Sequence, residues 1–180
     1  MRHSCFRVAM ATAAALAGVL VGSGSAQAAP GDVPSEPSVL TNHAYDNYLV
    51  PDDTVGNPGT FLQVYYADDN TIPRTFTFER VSGHSDIYKW KSAKTGSCAE
   101  TQGNGKAGTS VLLQKCGTNK AQWWVVRPVG GTSDQFVISP YNDEDLAVTG
   151  LFGNDNYAPL RPLPSSNTST AAQRWHINPE

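Results

Sequence analysis

Two short stretches of the chain decide its fold: Ala-Gln-Trp-Trp-Val-Val at 121–126 and Ala-Gln-Arg-Trp-His-Ile at 172–177. Each contains Gln-x-Trp followed, two positions after the Trp, by an apolar residue. Gln122 and Gln173 are 51 residues apart, which lies at the long edge of the periods expected for repeat architectures. The pattern therefore indicates internal duplication.

A third, altered copy of the pattern precedes these two. Arg-Thr-Phe-Thr-Phe at 74–78 begins 48 residues before Gln122, with Arg74 in place of the glutamine and Phe76 in place of the tryptophan. In every copy the aromatic residue and the apolar residue two positions later share one side of an extended chain, as a half-buried strand requires. We therefore predict three repeats that each end in such a strand.

The beginnings of the repeats keep the same spacing. Tyr88 in DIYKWKS and Phe136 in DQFVISP are 48 residues apart, and Leu40 in SVLTN lies 48 residues before Tyr88. Short runs of β-branched and aromatic residues alternate with Gly, Asn, Asp and Pro, a composition typical of an all-β protein. The predicted domain spans residues 38–180, with repeats at about 38–81, 82–129 and 130–180.

The predicted architecture follows from the size of these repeats. A β-rich unit of this length cannot bury a core alone, whereas three units can close one barrel with a strand pair each and cap it with their remaining hairpins. We expect Phe76, Trp124 and Trp175 to form an aromatic layer near the axis, and Gln122 and Gln173 to hold nearby turn backbone. An ordinary β-sandwich is the alternative, but it does not predict the common spacing.

Residues 1–28 have the layout of a secretory signal peptide. Arg2 and Arg7 precede an apolar run at 8–21, and Ala26-Gln27-Ala28 provides a small-x-small cleavage site. The apolar run is short for a membrane span, and no second run follows it. We therefore expect a secreted, monomeric protein with no membrane span, whose Pro-rich tether at 29–37 leads into the domain.

Charge and cysteine content narrow the classes of partner. Without the two leader arginines, 11 of the 13 basic residues remain against 16 acidic residues, a net charge of −5. An acidic chain without a basic run is a poor candidate for nucleic acid binding. The two cysteines after the leader, Cys98 and Cys116, are expected to form a disulfide in an exported protein, whereas two free thiols would suit a reducing compartment.

Taken together, these residues resemble the ricin-type β-trefoil lectins, in which Gln-x-Trp ends each repeat. The second repeat matches best: its Gly-x-Cys, Gly-rich turn, Val-Leu strand, second Cys and Gln-x-Trp follow the family order. The resemblance covers the whole of residues 38–180 and implies a β-trefoil fold with an intra-repeat disulfide between Cys98 and Cys116. It also implies carbohydrate binding.

Sugar recognition in this family uses an acid two residues after the first Cys, an aromatic residue two before the second Cys, and an Asn before Gln-x-Trp. A carboxylate accepts hydrogen bonds from sugar hydroxyls, an aromatic ring packs on the apolar sugar face, and an amide orients a further hydroxyl. In the second repeat these positions hold Glu100, Gln114 and Ala121. Only the acid is retained there, and a solvated surface acid is the alternative interpretation of Glu100.

The other two repeats depart further from the family pattern. The first keeps Gln63 and has Tyr65 at the aromatic position, but Val50 and Pro73 occupy the acid and Asn positions, so Asp52 or Asp53 would have to replace the acid. A half-exposed strand aromatic is the alternative interpretation of Tyr65. The third repeat aligns Ala147, Leu163 and Ala172 with the three positions and retains none of the expected groups.

The sequence as a whole favours a non-enzymatic glycan-binding module without cofactor or metal. The histidines after the leader, His43, His84 and His176, are dispersed one per repeat and carry no catalytic motif. The main alternative is a trefoil that has lost sugar binding and contacts a protein, as an inhibitor or a subunit, through a Pro-rich surface loop at 150–170. The alternative interpretation of that loop is an inert excursion packed on the barrel. A small hydrolase that uses the scattered acids is the weaker alternative.

Overall fold

A computed structural model describes residues 32–66, 72–132, 134–151, 157–165 and 168–180, and the predicted signal peptide lies outside these ranges. The described chain folds into twelve short strands, with one-turn 3₁₀ segments at Lys120–Gln122 and Ala171–Gln173. The strands are β1 (Ser38–Asn42), β2 (Tyr48–Pro51), β3 (Leu62–Tyr65), β4 (Thr75–Arg80), β5 (Ile87–Ser92), β6 (Cys98–Thr101), β7 (Val111–Gln114), β8 (Trp124–Pro128), β9 (Gln135–Pro140), β10 (Leu146–Val148), β11 (Leu160–Pro162) and β12 (Trp175–Pro179).

Six of these strands close a barrel, and every pairing is antiparallel. Strand β1 pairs with β12, β12 with β9, β9 with β8, β8 with β5, β5 with β4, and β4 with β1 again. Each predicted repeat contributes two of the six strands, its first and its last. The predicted all-β barrel of three pseudo-repeats is therefore confirmed, and closure leaves no free barrel edge.

The remaining strands form three cap hairpins, β2–β3, β6–β7 and β10–β11. The hairpins touch one another around the pseudo-axis through isolated bridges. Phe61 pairs with Leu112, Gln63 with Tyr157, and Ser110 with Pro159. Because each hairpin contacts the next, the cap fixes the mutual orientation of loops that lie far apart in the sequence.

The core consists of threefold-related apolar side chains that form one buried cluster. The rings of Phe76, Trp124 and Trp175 are 0–1% exposed and lie in this cluster. Trp90 links two of them, with ring centroids 5.7 Å from Phe76 and 5.3 Å from Trp124. A second threefold set, Leu40, Trp90 and Ile138, is 0% exposed, so the alternating pattern read from the sequence corresponds to inward-facing barrel positions.

The segment at 150–170, expected to be a surface loop, is in its described part a component of the cap. Strand β11 pairs with β10, and Ala158 and Leu160 are 0% exposed. Tyr157 packs on Phe61, with centroids 4.5 Å apart. Residues 158–160 are all buried and Arg161 is exposed, and the surrounding prolines concealed this strand in the sequence.

One loop of the first cap hairpin is organised by a single carboxylate. Asp53 accepts hydrogen bonds from the backbone N–H groups of Val55 (3.1 Å) and Gly56, and from the hydroxyl of Thr60 (2.9 Å). Burial raises the pKa of Asp53, but these hydrogen bonds together lower it more, so the net pKa lies below its usual value. Gly56 has φ +81°, which side chains other than glycine rarely adopt.

We expect Asp53→Ala to lower the free energy of unfolding by about 1–2 kcal/mol at pH 7, because it leaves several loop donors without a charged acceptor. A carboxylate with a lowered folded-state pKa stabilises the fold above its unfolded-state pKa and loses that contribution as pH falls through the folded value. The difference between wild type and variant should therefore hold at pH 5–7 and shrink below about pH 4. Urea unfolding of both proteins, once within pH 5–7 and once below about pH 4, measures this difference in the free energy of unfolding.

The matched control is Asp52→Ala, since Asp52 is the preceding residue and its carboxylate accepts the Tyr157 hydroxyl, at 3.1 Å, rather than the N–H groups of its own loop. An equal loss in both variants, or a loss for Asp53→Ala that persists at pH 3, would contradict this account.

Candidate functional site

The second cap hairpin carries the candidate site of the second repeat. Strands β6 and β7 pair with Cys98 opposite Gln114 and Glu100 opposite Leu112. Cross-strand partners project to the same side, and residues two apart do so as well, so Glu100, Leu112 and Gln114 share one face. The predicted disulfide between Cys98 and Cys116 is present and joins β6 to the segment that follows β7, two residues after Gln114, with the Cα atoms 5.0 Å apart.

Gln122 holds the carboxylate of Glu100 in place. Its Nε2 donates to Glu100 Oε2 at 2.8 Å and to the Lys115 carbonyl at 2.9 Å, while its Oε1 accepts from the Gly117 N–H at 2.8 Å. Gln122 itself is 2% exposed. Within the described residues Glu100 Oε1 has no protein hydrogen-bond partner, so a half-buried, fixed oxygen is left as an acceptor.

Local structure explains why Gln122 faces inward. Asn119 begins the 3₁₀ turn by accepting the Ala121 N–H through its side-chain oxygen at 3.0 Å. The chain then enters β8 with Trp124 in the core, where the indole N–H donates to the Ala99 carbonyl at 2.9 Å. Ala99 precedes Glu100, so the same Gln-x-Trp unit fixes both the backbone and the side chain at the acid position.

The first repeat presents an aromatic surface instead. Tyr65 pairs with Tyr48, and Gln63 pairs with Val50, so Tyr65 occupies the place of Gln114 and Val50 the place of Glu100. Tyr65 is 49% exposed, whereas Val50 is fully buried. This hairpin therefore offers an open ring for stacking but has no carboxylate at the acid position.

Arg74 occupies the position of Gln122 in the first repeat. Its guanidinium lies over the Tyr48 ring, 4.8 Å from the centroid, and 3.5 Å from a carboxylate oxygen of Glu180. A cleft of about 630 Å³ opens beside Arg74, between Pro73 and Lys94. Arg74 thus packs on the Tyr48 ring and also lines this cleft.

The structure does not bring Asp52 near Tyr65. The Asp52 N–H bonds to the Phe61 carbonyl at the far end of the hairpin from the Tyr48–Tyr65 pair. The Tyr157 hydroxyl donates to its carboxylate, and Asp53 is used by its own loop. Both acids are therefore engaged away from the position that Val50 occupies.

The third repeat needs a correction of two residues in its alignment. The Trp175 indole N–H donates to the Val148 carbonyl, as Trp124 does to Ala99. Thr149 and Arg161, rather than Ala147 and Leu163, therefore occupy the acid and aromatic positions. The sequence alignment lacked cysteines to anchor it here, and Thr149 is only 6% exposed, so the described residues of this repeat place neither a carboxylate nor an aromatic ring at these two positions.

Sequence reasoning missed one aromatic surface. Trp123 lies 5.4 Å from Tyr141 and 5.8 Å from His84, centroid to centroid, and Lys120 Nζ lies over both larger rings. Trp123, the first Trp of the Gln-Trp-Trp stretch, was the available signal. The stretch was interpreted only as part of the repeat pattern, which accounts for Trp124 but not for Trp123.

The described ranges contain neither a cluster of metal-ligating side chains nor a membrane-spanning helix. No group of three or more His, Cys, Asp and Glu side chains in these ranges is placed to hold a metal ion. Among the same residues no helix has the length and apolar character to cross a membrane.

No protein-family model and no curated protein sequence matches the chain. Solved structures do match its fold. The designed threefold protein ThreeFoil has a TM-score of 0.64 at 13% identity, over 80% of this chain and 99% of that one. The Macrolepiota procera ricin B-like lectin, solved with lactose, has a TM-score of 0.60 at 14% identity, over 83% and 99% of the two chains.

A proteinase inhibitor from Coprinopsis cinerea is similar to the same degree, with a TM-score of 0.60 at 16% identity, over 83% of this chain and 100% of that one. The chain spans 48% of a Polyporus squamosus lectin and 31% of an exo-β-1,3-galactanase from Clostridium thermocellum. At these identities the likeness shows the fold, a ricin B-like β-trefoil, and this fold occurs in both lectins and a proteinase inhibitor.

Proposed function

We propose that the protein is a secreted, non-enzymatic carbohydrate-binding module whose principal site is the Glu100–Gln114 face of the second cap hairpin. The observation that carries this proposal is the hydrogen bond from Gln122 to Glu100 Oε2 at 2.8 Å. It fixes a half-buried carboxylate whose second oxygen is available to a ligand. A solvated surface acid would not need a buried amide to orient it.

The chemistry of this face suits a sugar edge. A carboxylate oxygen accepts charge-assisted hydrogen bonds from hydroxyls, and the neighbouring Gln114 amide can both donate and accept. Leu112 lies between them on the same face and is half-buried. The arrangement lacks an aromatic platform, so we expect weak binding to hydroxyl-rich ligands rather than tight capture of one monosaccharide.

Tyr65 supplies the missing platform on a separate hairpin. Its ring is 49% exposed and can pack against the apolar face of a pyranose. Two weak sites on one rigid cap increase the avidity for a repeating glycan, because the second contact becomes intramolecular after the first. A polysaccharide or a dense cell-surface glycan is therefore the preferred ligand class.

The chemistry of the face favours binding over hydrolysis. A glycosidase needs two carboxyl groups on either side of the scissile bond, but the groups beside Glu100 are the amides of Gln122 and Gln114. Export is supported by the Cys98–Cys116 disulfide, which persists in oxidising compartments.

Binding to a protein partner is the second candidate. It is favoured by the third repeat, where Thr149 and Arg161 replace both sugar-type residues, and by the likeness to a proteinase inhibitor. On this proposal the 150–170 segment, whose residues 152–156 and 166–167 lie outside the described ranges, contacts the partner.

The test is binding to immobilised polysaccharides and a glycan array, followed by affinity measurement on the best ligand. We expect Glu100→Gln to weaken binding about 10- to 100-fold, because it removes a charge-assisted hydrogen bond worth about 1.5–3 kcal/mol. Glu36→Gln is the matched control, since Glu36 is exposed and lies before the domain, and it should bind as wild type.

We expect Tyr65→Ala to weaken binding to long glycans about fivefold, in line with the loss of one ring contact of about 1 kcal/mol. Tyr66→Ala is its control. Tyr66 is also exposed, but as the next residue along the chain it is expected to project to the other side. A folded wild-type protein that binds no glycan, or that binds equally well without Glu100 and Tyr65, would reject the proposal. A blank array together with stoichiometric inhibition of a protease would establish the protein-partner candidate.

A further inference from the structure

Three side chains from distant parts of the sequence form a chain of contacts on the barrel surface. His43 Nδ1 lies 3.1 Å from His176 Nε2, and His176 Nδ1 lies 2.9 Å from a carboxylate oxygen of Asp134. His43 is exposed, and the side chain of His176 is 22% exposed. The proposed glycan sites use none of these residues.

The barrel closure brings these groups together. His43 follows β1, and its N–H donates to the Arg174 carbonyl at 3.0 Å, next to the pairing of β1 with β12. His176 on β12 pairs with Gln135 on β9, and Asp134 precedes Gln135. Because first and last strands of the chain are neighbours, two histidines 133 residues apart share one rigid surface.

The two imidazole nitrogens are hydrogen-bonded to each other, and their separation also suits a chelating pair. Two imidazole nitrogens bound to one tetrahedral metal at about 2.0–2.1 Å are themselves about 3.3 Å apart, close to the 3.1 Å between Nδ1 of His43 and Nε2 of His176. A carboxylate that accepts the Nδ1–H of a histidine fixes the tautomer whose Nε2 lone pair is free for a metal. Asp134 stands in this relation to His176, whose Nε2 lone pair in turn accepts the Nδ1–H of His43, so a metal ion would take the place of that proton.

We propose that His43 and His176 chelate a divalent transition-metal ion through Nδ1 and Nε2 respectively. Asp134 positions the ring of His176 and adds a negative charge beside the cation. Water completes the coordination, since His43 and His176 contribute only two protein ligands. Imidazole ligands of this kind favour Cu²⁺ over Ni²⁺ and Zn²⁺.

The test titrates untagged secreted protein with Cu²⁺, Ni²⁺ and Zn²⁺ by calorimetry and follows Cu²⁺ by electron paramagnetic resonance. We expect one saturable site, strongest for Cu²⁺, with a spectrum of two nitrogen ligands. His43→Ala should abolish saturable binding, and Asp134→Asn should weaken it about 10-fold.

His84→Ala is the matched control, because His84 lies in the Trp123–Tyr141 cluster away from the pair, and it should bind metal as wild type does. His43 is exposed and outside the core, so its alanine variant should keep the wild-type circular dichroism spectrum. Absence of saturable binding in the wild type would overturn the proposal, as would unchanged binding in His43→Ala. Either outcome leaves the glycan proposal standing, because that site shares no residue with this one.

Discussion

Trp124→Ala is expected to lower the free energy of unfolding by about 3–5 kcal/mol, the range for deleting a large aromatic side chain from a core. The ring is 0% exposed, contacts Trp90 at 5.3 Å between centroids, and donates its N–H to the Ala99 carbonyl. Removing it leaves a cavity at the barrel axis and an unpaired carbonyl. A loss of this size is a large share of the roughly 5–15 kcal/mol that stabilises a typical domain.

The adjacent residue provides a matched control. Trp123 is the same residue type and directly precedes β8. It is half-buried, however, and faces Tyr141 and His84 on the surface. Trp123→Ala should cost clearly less in urea unfolding. If the two variants lost equal stability, the threefold aromatic core would not be the main support of the barrel.

Removal of the disulfide is expected to have the second largest effect on stability. The double variant Cys98→Ser/Cys116→Ser opens a loop of sequence separation 18, which in the chain-entropy model costs about 3 kcal/mol. The bond also ties together the strands that carry Glu100 and Gln114. We therefore expect glycan affinity to fall in the folded variant, with the free energy of unfolding measured by urea and affinity measured in parallel.

The two readouts separate the roles of the bond. If the variant loses both stability and glycan affinity, the disulfide orders the hairpin as well as restricting the unfolded chain. A stability loss of about 3 kcal/mol with unchanged glycan affinity would contradict the predicted coupling, since Gln122 would then suffice to hold Glu100.

The fold was readable because its signals are local. The alternation of apolar residues around Phe76, Trp124 and Trp175 indicates which side of each strand is buried. Burial of that apolar side is the dominant favourable free-energy term in folding. In the second repeat, the two cysteines also fixed the alignment of its residues with the family pattern. In the third repeat, without cysteines, the alignment slipped by two residues, an even number that preserved the inward face but moved the site position to Thr149.

The sequence by itself determined the all-β threefold barrel, the inward aromatic positions and the identity of Glu100 and Tyr65 as candidates. Only the tertiary structure decided that Gln122 holds Glu100, that Asp52 is turned to Tyr157, and that His43 meets His176. The physical reason is that a periodic pattern specifies which face of a strand is apolar. Contacts between polar groups depend instead on strand register and on the closure of the barrel, which no local pattern contains.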